Sequence, residues 1–206
     1  TRFSIRESDG LTAVSEYLRR ETNLHFDIPA EDIEVIPNFV DLEKYRRDSY
    51  PCHRSMLAPA GEKIVMHISN FRPVKRVADV LRIFARIDRD IPTKLVLVGD
   101  GPDRGRAEQV AEEEGVADRV LFLGKQESVA ELLACADLAL VPSESEAFGL
   151  VALEAMACGV PVIGTDVGGM PEVVPHGKAG YLAPVGAIDE MARAASDLLA
   201  NPDRWA

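Results

Sequence analysis

Two glutamates stand with seven residues between them in Glu146-Ala147-Phe148-Gly149-Leu150-Val151-Ala152-Leu153-Glu154. If a helix starts near Gly149, Glu146 lies on the loop before it and Glu154 lies one to two turns in. One carboxylate can then meet ligand hydroxyls above the helix start while the other meets hydroxyls alongside it. The N–H groups near Phe148 to Val151 would face an anion between them, because the first turn of a helix holds no internal acceptors for them. A bare pair of glutamates is weak evidence. Framed by Pro142-Ser143 and by Ala155-Met156-Ala157-Cys158-Gly159-Val160-Pro161, the pair becomes specific.

A second group is cationic: Asn70-Phe71-Arg72-Pro73-Val74-Lys75-Arg76. Two or three cations beside helix-terminal N–H groups can neutralise a diphosphate, and arginine can do so with two parallel bonds. A solvated helix start looks the same in isolation. The cluster stands out because the chain is net acidic, at −11, and because it directly follows an apolar run. That net charge argues against nucleic acid or an anionic membrane as the main partner. Thr165-Asp166-Val167-Gly168-Gly169-Met170-Pro171-Glu172 is a paired-glycine loop where backbone must approach something closely, with a plain tight turn as the alternative. Gly99-Asp100-Gly101-Pro102 reads as a structural turn whose backbone lies near a nucleotide.

Other patterns fail on spacing. Gly99-x-Gly101-x-x-x-Gly105 puts its third glycine one residue late for a dinucleotide fingerprint, and Asp100 and Asp103 would repel a pyrophosphate. Gly124-Lys125 and Gly177-Lys178 lack the rest of a phosphate-binding P-loop. Asp88-Arg89-Asp90 reads as the solvated end of a helix rather than a metal motif. His25, His53, His67 and His176 have no metal-ligand spacing, and His67 suits a packed core position. Cys52, Cys135 and Cys158 are odd in number and widely spaced, so reduced thiols in a cytoplasmic protein are expected rather than a disulfide or a zinc site.

The elements that must position these groups alternate along the chain. Residues 1–40 read as a helix over Leu11–Asn23 and a short strand over Ile33–Ile36, and residues 41–61 as an aperiodic linker. From Glu62 onward, apolar runs at Ile64–Ile68, Lys94–Val98, Val120–Leu123, Leu138–Val141 and Val160–Ile163 predict buried strands. Helical segments lie between them, with Val77, Val80, Leu81, Phe84 and Ile87 on one face of the first. A helix over Ser128–Cys135, another over Gly149–Ala157 and a last one from Gly186 complete the series. This order predicts an α/β fold with a doubly wound, Rossmann-like parallel sheet. Ligands of such sheets bind at the carboxyl ends of the strands, here the loops 69–75, 99–103, 124–128, 142–150 and 165–170. The composition, 47% hydrophobic and 28% charged over 206 residues, is that of a soluble globular protein. The apolar runs are too short to span a bilayer, and no charged-then-apolar leader opens the chain.

With these motifs in view, the chain resembles the carboxyl half of the family 4 retaining glycosyltransferases of GT-B architecture. The resemblance rests on Glu146-x7-Glu154, on Arg72 and Lys75, on the GDGP turn and on EAMACGVPVIGTDVGGMPEVV. It implies that Arg72 and Lys75 hold the diphosphate of a nucleotide-sugar donor. Glu154 would accept hydrogen bonds from ribose hydroxyls and Glu146 from hydroxyls of the donor sugar. Phe148, Gly149 and Leu150 would touch sugar and phosphate through backbone. The 124–127 loop, with Lys125, would border the base, and Asn70 and Gly99 complete the expected donor site. Arg72, Lys75 and Glu146 are the expected catalytic residues. The family uses no metal and no other cofactor, since cations and a helix terminus neutralise the leaving diphosphate.

The stretches 12–19, 33–41, 68–77, 122–133 and 143–165 narrow the resemblance to members that join GlcNAc from UDP-GlcNAc to L-malate in bacillithiol biosynthesis. Another UDP-sugar and acceptor within the family, a UDP-sugar 2-epimerase, and a non-catalytic nucleotide-binding module stay open as alternatives. The resemblance implies that a small-molecule acceptor binds mainly to an amino-terminal domain outside this chain. Residues 1–40 would be its trailing helix and strand, 41–61 the linker, and 62–206 the donor-binding domain, inactive alone. The apolar residues Val14, Leu18, Ile33 and Ile36 then lead to the expectation that 1–40 is partly disordered or packs against another copy in a homo-oligomer.

Overall fold

The structure, a computed structural model, describes residues 5, 7–50, 54–87, 89 and 91–201. Cys52, His53, Asp88, Asp90 and the final residues 202–206 lie outside the described residues.

The first elements form a small unit of their own. Strand β1 (Leu11–Ala13) is followed by helix α1 (Glu16–Phe26) and strand β2 (Ile33–Val35), and β1 pairs with β2 in parallel. The helix expected from Leu11 therefore starts five residues later. Ser15 is the reason: extended at φ −157°, its side chain accepts the Leu18 N–H and so begins the helix at Glu16. Ala13, Ile28 and Ile33 are buried together between the strands and the helix, with Leu18 packed against them. Within residues 11–35 this unit is built from paired strands and a capped helix. Its contact is with the same chain's own loops, described below.

The linker is also more structured than its aperiodicity suggests. It contains a 3-10 turn (Arg47–Ser49) and a short helix α2 (Arg54–Leu57). Arg54 holds α2 in place by donating to Asp137 Oδ2 at 2.6 Å and to the carbonyls of Cys135 and Glu62.

The remainder is one parallel sheet with helices on both faces. In chain order come β3 (Lys63–Ile68), α3 (Val77–Ile87), β4 (Thr93–Val98), α4 (Arg104–Glu113), β5 (Val120–Gly124), α5 (Ala130–Leu133), β6 (Leu138–Val141), α6 (Leu150–Ala157), β7 (Val162–Thr165), α7 (Met170–Val173), β8 (Gly180–Ala183) and α8 (Ile188–Ala200). The strands lie in the order β5-β4-β3-β6-β7-β8. Alternation along each strand divides the core. Val65, Leu95, Leu97, Leu138 and Leu140 face Val80, Leu81 and Phe84 of α3 and Leu198 of α8, whereas Ile64, Met66, Val96 and Ala139 face Ala152 and Ala155 of α6. Both faces are covered, which is why the strands read as continuous apolar runs.

Two further boundaries differ from the sequence reading. Strand β7 begins at Val162 rather than Val160, because the Val160 N–H still bonds to Ala155 O and closes the end of α6. Helix α5 is only Ala130–Leu133, shorter than the 128–135 expected. Cys135 is disulfide-bonded, against the expectation of reduced thiols, while Cys158 is free and buried.

Candidate functional site

The strand order reverses between β3 and β6, the place where doubly wound sheets hold ligands in a crevice at their carboxyl ends. The loops leaving those two strands are 69–76 and 142–149, which carry the cationic cluster and the first glutamate. The topology brings together what the sequence separates by about seventy residues. Lys75 Nζ lies 2.5 Å from Glu146 Oε1, with both side chains largely buried at 23% and 14% exposure. Glu146 Oε1 also accepts the Ser143 hydroxyl at 2.8 Å. Backbone joins the same loops, since Glu144 N–H donates to Val74 O at 2.8 Å.

The cations divide by role. Arg76, left-handed at φ 50°, is turned away to the buried Asp79, to which its Nε donates at 2.6 Å. Arg82 donates to the other oxygen of Asp79 at 3.0 Å. Arg72 is exposed and, among the described residues, its guanidinium meets no ion-pair or hydrogen-bond partner. Asn70 is likewise exposed at the crevice edge. The crevice therefore offers Arg72 as an open donor and Lys75 as a donor already held by a carboxylate.

Behind this crevice a buried relay sets the first loop. His67 Nδ1 lies 2.8 Å from Leu140 O and must carry its proton there, since a carbonyl can only accept. Nε2 then accepts the Ser69 hydroxyl at 2.8 Å, and Ser69 Oγ accepts the Phe71 N–H at 3.2 Å. Burial lowers the His67 pKa to about 4; the Leu140 carbonyl opposes this, Lys75 adds to it, and Glu146 opposes it. The ring is neutral at pH 7, as the relay requires. His67 is a packing and orienting residue, in agreement with the sequence reading.

The two glycine loops brace the loops that carry Ser69 and Glu146. Gly99, at φ 120°, lies against Ser69, and a Cβ there would overlap the Ser69 carbonyl oxygen. Gly168, at φ 62°, meets the Glu146 carbonyl in the same way, and Gly169 N–H donates to that carbonyl at 2.8 Å. The close approach expected of the Gly168-Gly169 loop is thus to the backbone of Glu146.

Helix α6 begins at Leu150 after Gly149, left-handed at φ 99°, with no side-chain cap on its first turn. The N–H groups of its first turn have no acceptor within the helix. Phe148 is buried at 8% exposure and anchors the turn, while Leu150 is exposed. Glu154 lies one turn into α6, away from the Lys75–Glu146 pair. Its Oε1 accepts the Tyr45 hydroxyl at 2.7 Å. Burial, then the hydrogen bond and charge of Glu154, push the Tyr45 pKa well above its ordinary value. Cys158, one turn further, is raised to about 11, first by burial and then by Glu154. Lys125 is exposed on the loop after β5, two strands from β3, with no described contact to the ion pair.

Sequence reasoning missed Tyr45, Ser143 and Glu172. Tyr45 sits in a segment without periodicity, so nothing marked which way its ring would turn. Ser143 stands in the frame of the glutamate motif, where nothing local signals its bond to Glu146. Glu172 Oε1 and Oε2 accept the N–H groups of Tyr17 at 2.7 Å and Glu16 at 2.8 Å, and Ser15 Oγ donates to Ala147 O at 2.6 Å. Only the long-range fold shows that the start of α1 rests on the glutamate loop.

Among the described residues, no group of three or more His, Cys, Asp or Glu side chains could hold a metal ion, and no helix is long and apolar enough to cross a membrane.

Comparison with known proteins places this geometry. Residues 52–205 match the family described as glycosyl transferases group 1, and residues 1–44 match glycosyltransferase family 4. The N-acetyl-alpha-D-glucosaminyl L-malate synthase of Bacillus anthracis is 50% identical over 98% of this chain and 53% of its own length. The D-inositol 3-phosphate glycosyltransferase of Mycolicibacterium smegmatis is 33% identical over 95% of this chain and 46% of its own. The chain thus spans about half the length of the curated relatives it matches. Among solved structures, Anabaena HepE in complex with UDP and glucose superposes with a TM-score of 0.87 at 27% identity, over 97% of this chain and 56% of that one. Sucrose-phosphate synthase from Thermosynechococcus elongatus gives 0.86 at 29%, over 99% and 52%. With a glutamate and a cationic loop meeting at the switch point of a Rossmann-like sheet, and with the family matched over most of its length, this chain belongs to the group 1 glycosyl transferases.

Proposed function

We propose that the chain is the donor-binding half of a retaining glycosyltransferase that transfers GlcNAc from UDP-GlcNAc to L-malate. The observation that carries the donor side is the Lys75–Glu146 pair in the crevice between β3 and β6, beside the open Arg72 and the uncapped start of α6. A diphosphate there would meet Arg72, Lys75 and the first N–H groups of α6. Lys75 would then divide its three donors between phosphate and Glu146, and Glu146 would keep acceptor capacity for a sugar hydroxyl. Glu154 takes the ribose hydroxyls, Phe148, Gly149 and Leu150 offer backbone to sugar and phosphate, Lys125 borders the uracil, and Asn70 and Gly99 line the near wall.

The departing UDP gains negative charge as the glycosidic bond breaks. Lys75, held by Glu146, and the helix terminus stand in advance where that charge develops, and the open Arg72 adds a third donor, which lowers the barrier. In this reading those groups neutralise the leaving group without a metal. Residues 1–40 belong to the acceptor-side domain, 41–61 form the connection, and malate binds mostly outside this chain. The choice of GlcNAc and malate rests on the 50% identity to the malate synthase, against 33% to the inositol-phosphate enzyme.

The test uses the protein with its acceptor-side domain. UDP release from UDP-GlcNAc is followed with malate, inositol 3-phosphate and no acceptor, and the product anomer is read by NMR. Faster release with malate and an α-linked product are expected. Release no faster with malate than with water, together with fast release to another acceptor, would leave only the family assignment standing.

A further inference from the structure

Tyr45 belongs to no element of the sheet, yet its hydroxyl reaches Glu154 Oε1 at 2.7 Å across 109 residues of sequence. Its placement is fixed from both sides. Before it, the Asp41 side chain accepts the Glu43 N–H at 2.9 Å and the Asp41 carbonyl accepts the Tyr45 N–H at 2.8 Å, closing a tight turn. After it, Arg47 donates to Ala136 O at 2.8 Å. The ring packs on the face of the core formed by α6, and Lys44 lies over it at 5.6 Å. Burial and the neighbouring carboxylate keep the phenol protonated, so it can only donate to Glu154.

We propose that Tyr45 is a positioning residue for nucleotide binding: its hydroxyl fixes one oxygen of Glu154 so that the other is aimed at the ribose hydroxyls. This rests on the reading of Glu154 as the ribose contact. A carboxylate has about four acceptor directions, and one hydrogen bond from Tyr45 leaves enough for two vicinal hydroxyls. Without that bond, Glu154 must surrender its rotamer freedom on each binding event, which costs affinity only for ligands that use it. Tyr45 lies in the connecting segment, so this arrangement also ties that segment to occupancy of the ribose site.

The test is calorimetric, on the chain as it stands, with UDP and 2′,3′-dideoxy-UDP. Tyr45→Phe keeps the ring and its packing and removes only the hydroxyl. The expected result is a loss of UDP affinity of about five-fold, unchanged affinity for dideoxy-UDP, and no further loss when Tyr45→Phe is added to Glu154→Ala. Equal weakening of both ligands would show a merely structural role and overturn the proposal. Tighter UDP binding in Tyr45→Phe would show that the hydroxyl competes with ribose, and overturns it too. If the wild-type chain binds UDP and dideoxy-UDP equally, the ribose role of Glu154 fails first, and this inference falls with it. If the wild type binds neither, the donor-site reading itself is wrong.

Discussion

Glu172 closes the start of α1: its two carboxylate oxygens accept the backbone N–H groups of Glu16 and Tyr17, at 2.8 and 2.7 Å. An acidic side chain at a helix N-terminus satisfies donors that the helix cannot and complements its dipole. Here the side chain comes from α7, just after the glycine pair that braces Glu146, so the unit of β1, α1 and β2 is fastened to the carboxyl-end loops of the six-stranded sheet. Glu172→Ala should cost this contact about 1–2 kcal/mol. Hydrogen exchange should then show faster opening of residues 16–26 with unchanged protection in the six-stranded sheet. Unchanged exchange in α1 would show that Glu172 does not hold it.

The proposed donor contacts should separate by ligand. Arg72→Ala and Lys75→Ala should each cost UDP affinity about 1.5–3 kcal/mol, the range for hydrogen bonds to charged groups. They should differ in thermal stability. Arg72 is exposed and unpaired among the described residues, so its loss should leave the melting temperature unchanged, whereas Lys75→Ala leaves Glu146 without its ion-pair partner and should lower it. Glu154→Ala should weaken UDP, and Glu146→Ala should weaken UDP-GlcNAc while sparing UDP. Equal effects of the two glutamate changes on UDP would reverse the assigned roles.

His67 gives the pH dependence. Its folded pKa, about 4, lies below the ordinary 6.5. Between those values the unfolded chain binds a proton that the folded chain refuses, so stability is full above pH 6.5 and falls as the pH drops towards 4. From pH 7.5 to 5 this single group should remove about 2 kcal/mol. Urea denaturation of wild type and His67→Gln at both pH values measures it. An equally steep loss in the variant would assign the acid sensitivity elsewhere.

Gly168→Ala should act at a distance. A Cβ at Gly168 would overlap the Glu146 carbonyl and would sit on a positive φ. The added methyl must push the loop carrying Glu146 off its position, with strain of about 1–3 kcal/mol. If Glu146 is the sugar contact, as proposed, UDP-GlcNAc binding should fall more than UDP binding. Retained UDP-GlcNAc affinity with a normal melting temperature would show that the loop adapts.

Much of this was legible in the sequence because buried parallel strands announce themselves as short apolar runs. The runs Ile64–Ile68 and Leu138–Val141 match β3 and β6 almost to the residue. Once the sheet is doubly wound, the loops at 69–76 and 142–149 must lie at its carboxyl edge. Leu11–Ala13 reads as helix in the sequence but forms a strand, because three residues are too few for strand alternation to show against the helical spacing that follows. Tyr45 and Glu172 were invisible for another reason: each acts through one long-range hydrogen bond, and no local pattern encodes the partner. The Gly168-Gly169 pair reads as a loop with close backbone contact. Its target, Glu146 O, needed the fold.

The central claim, that residues of this chain alone form a nucleoside-diphosphate site, is tested most directly by titrating UDP into the chain by calorimetry in the presence of chelator. The account predicts saturable one-to-one binding without divalent metal, abolished when Arg72 and Lys75 are both replaced by alanine. No heat at millimolar UDP, or binding that appears only with Mg²⁺ or Mn²⁺, would contradict it.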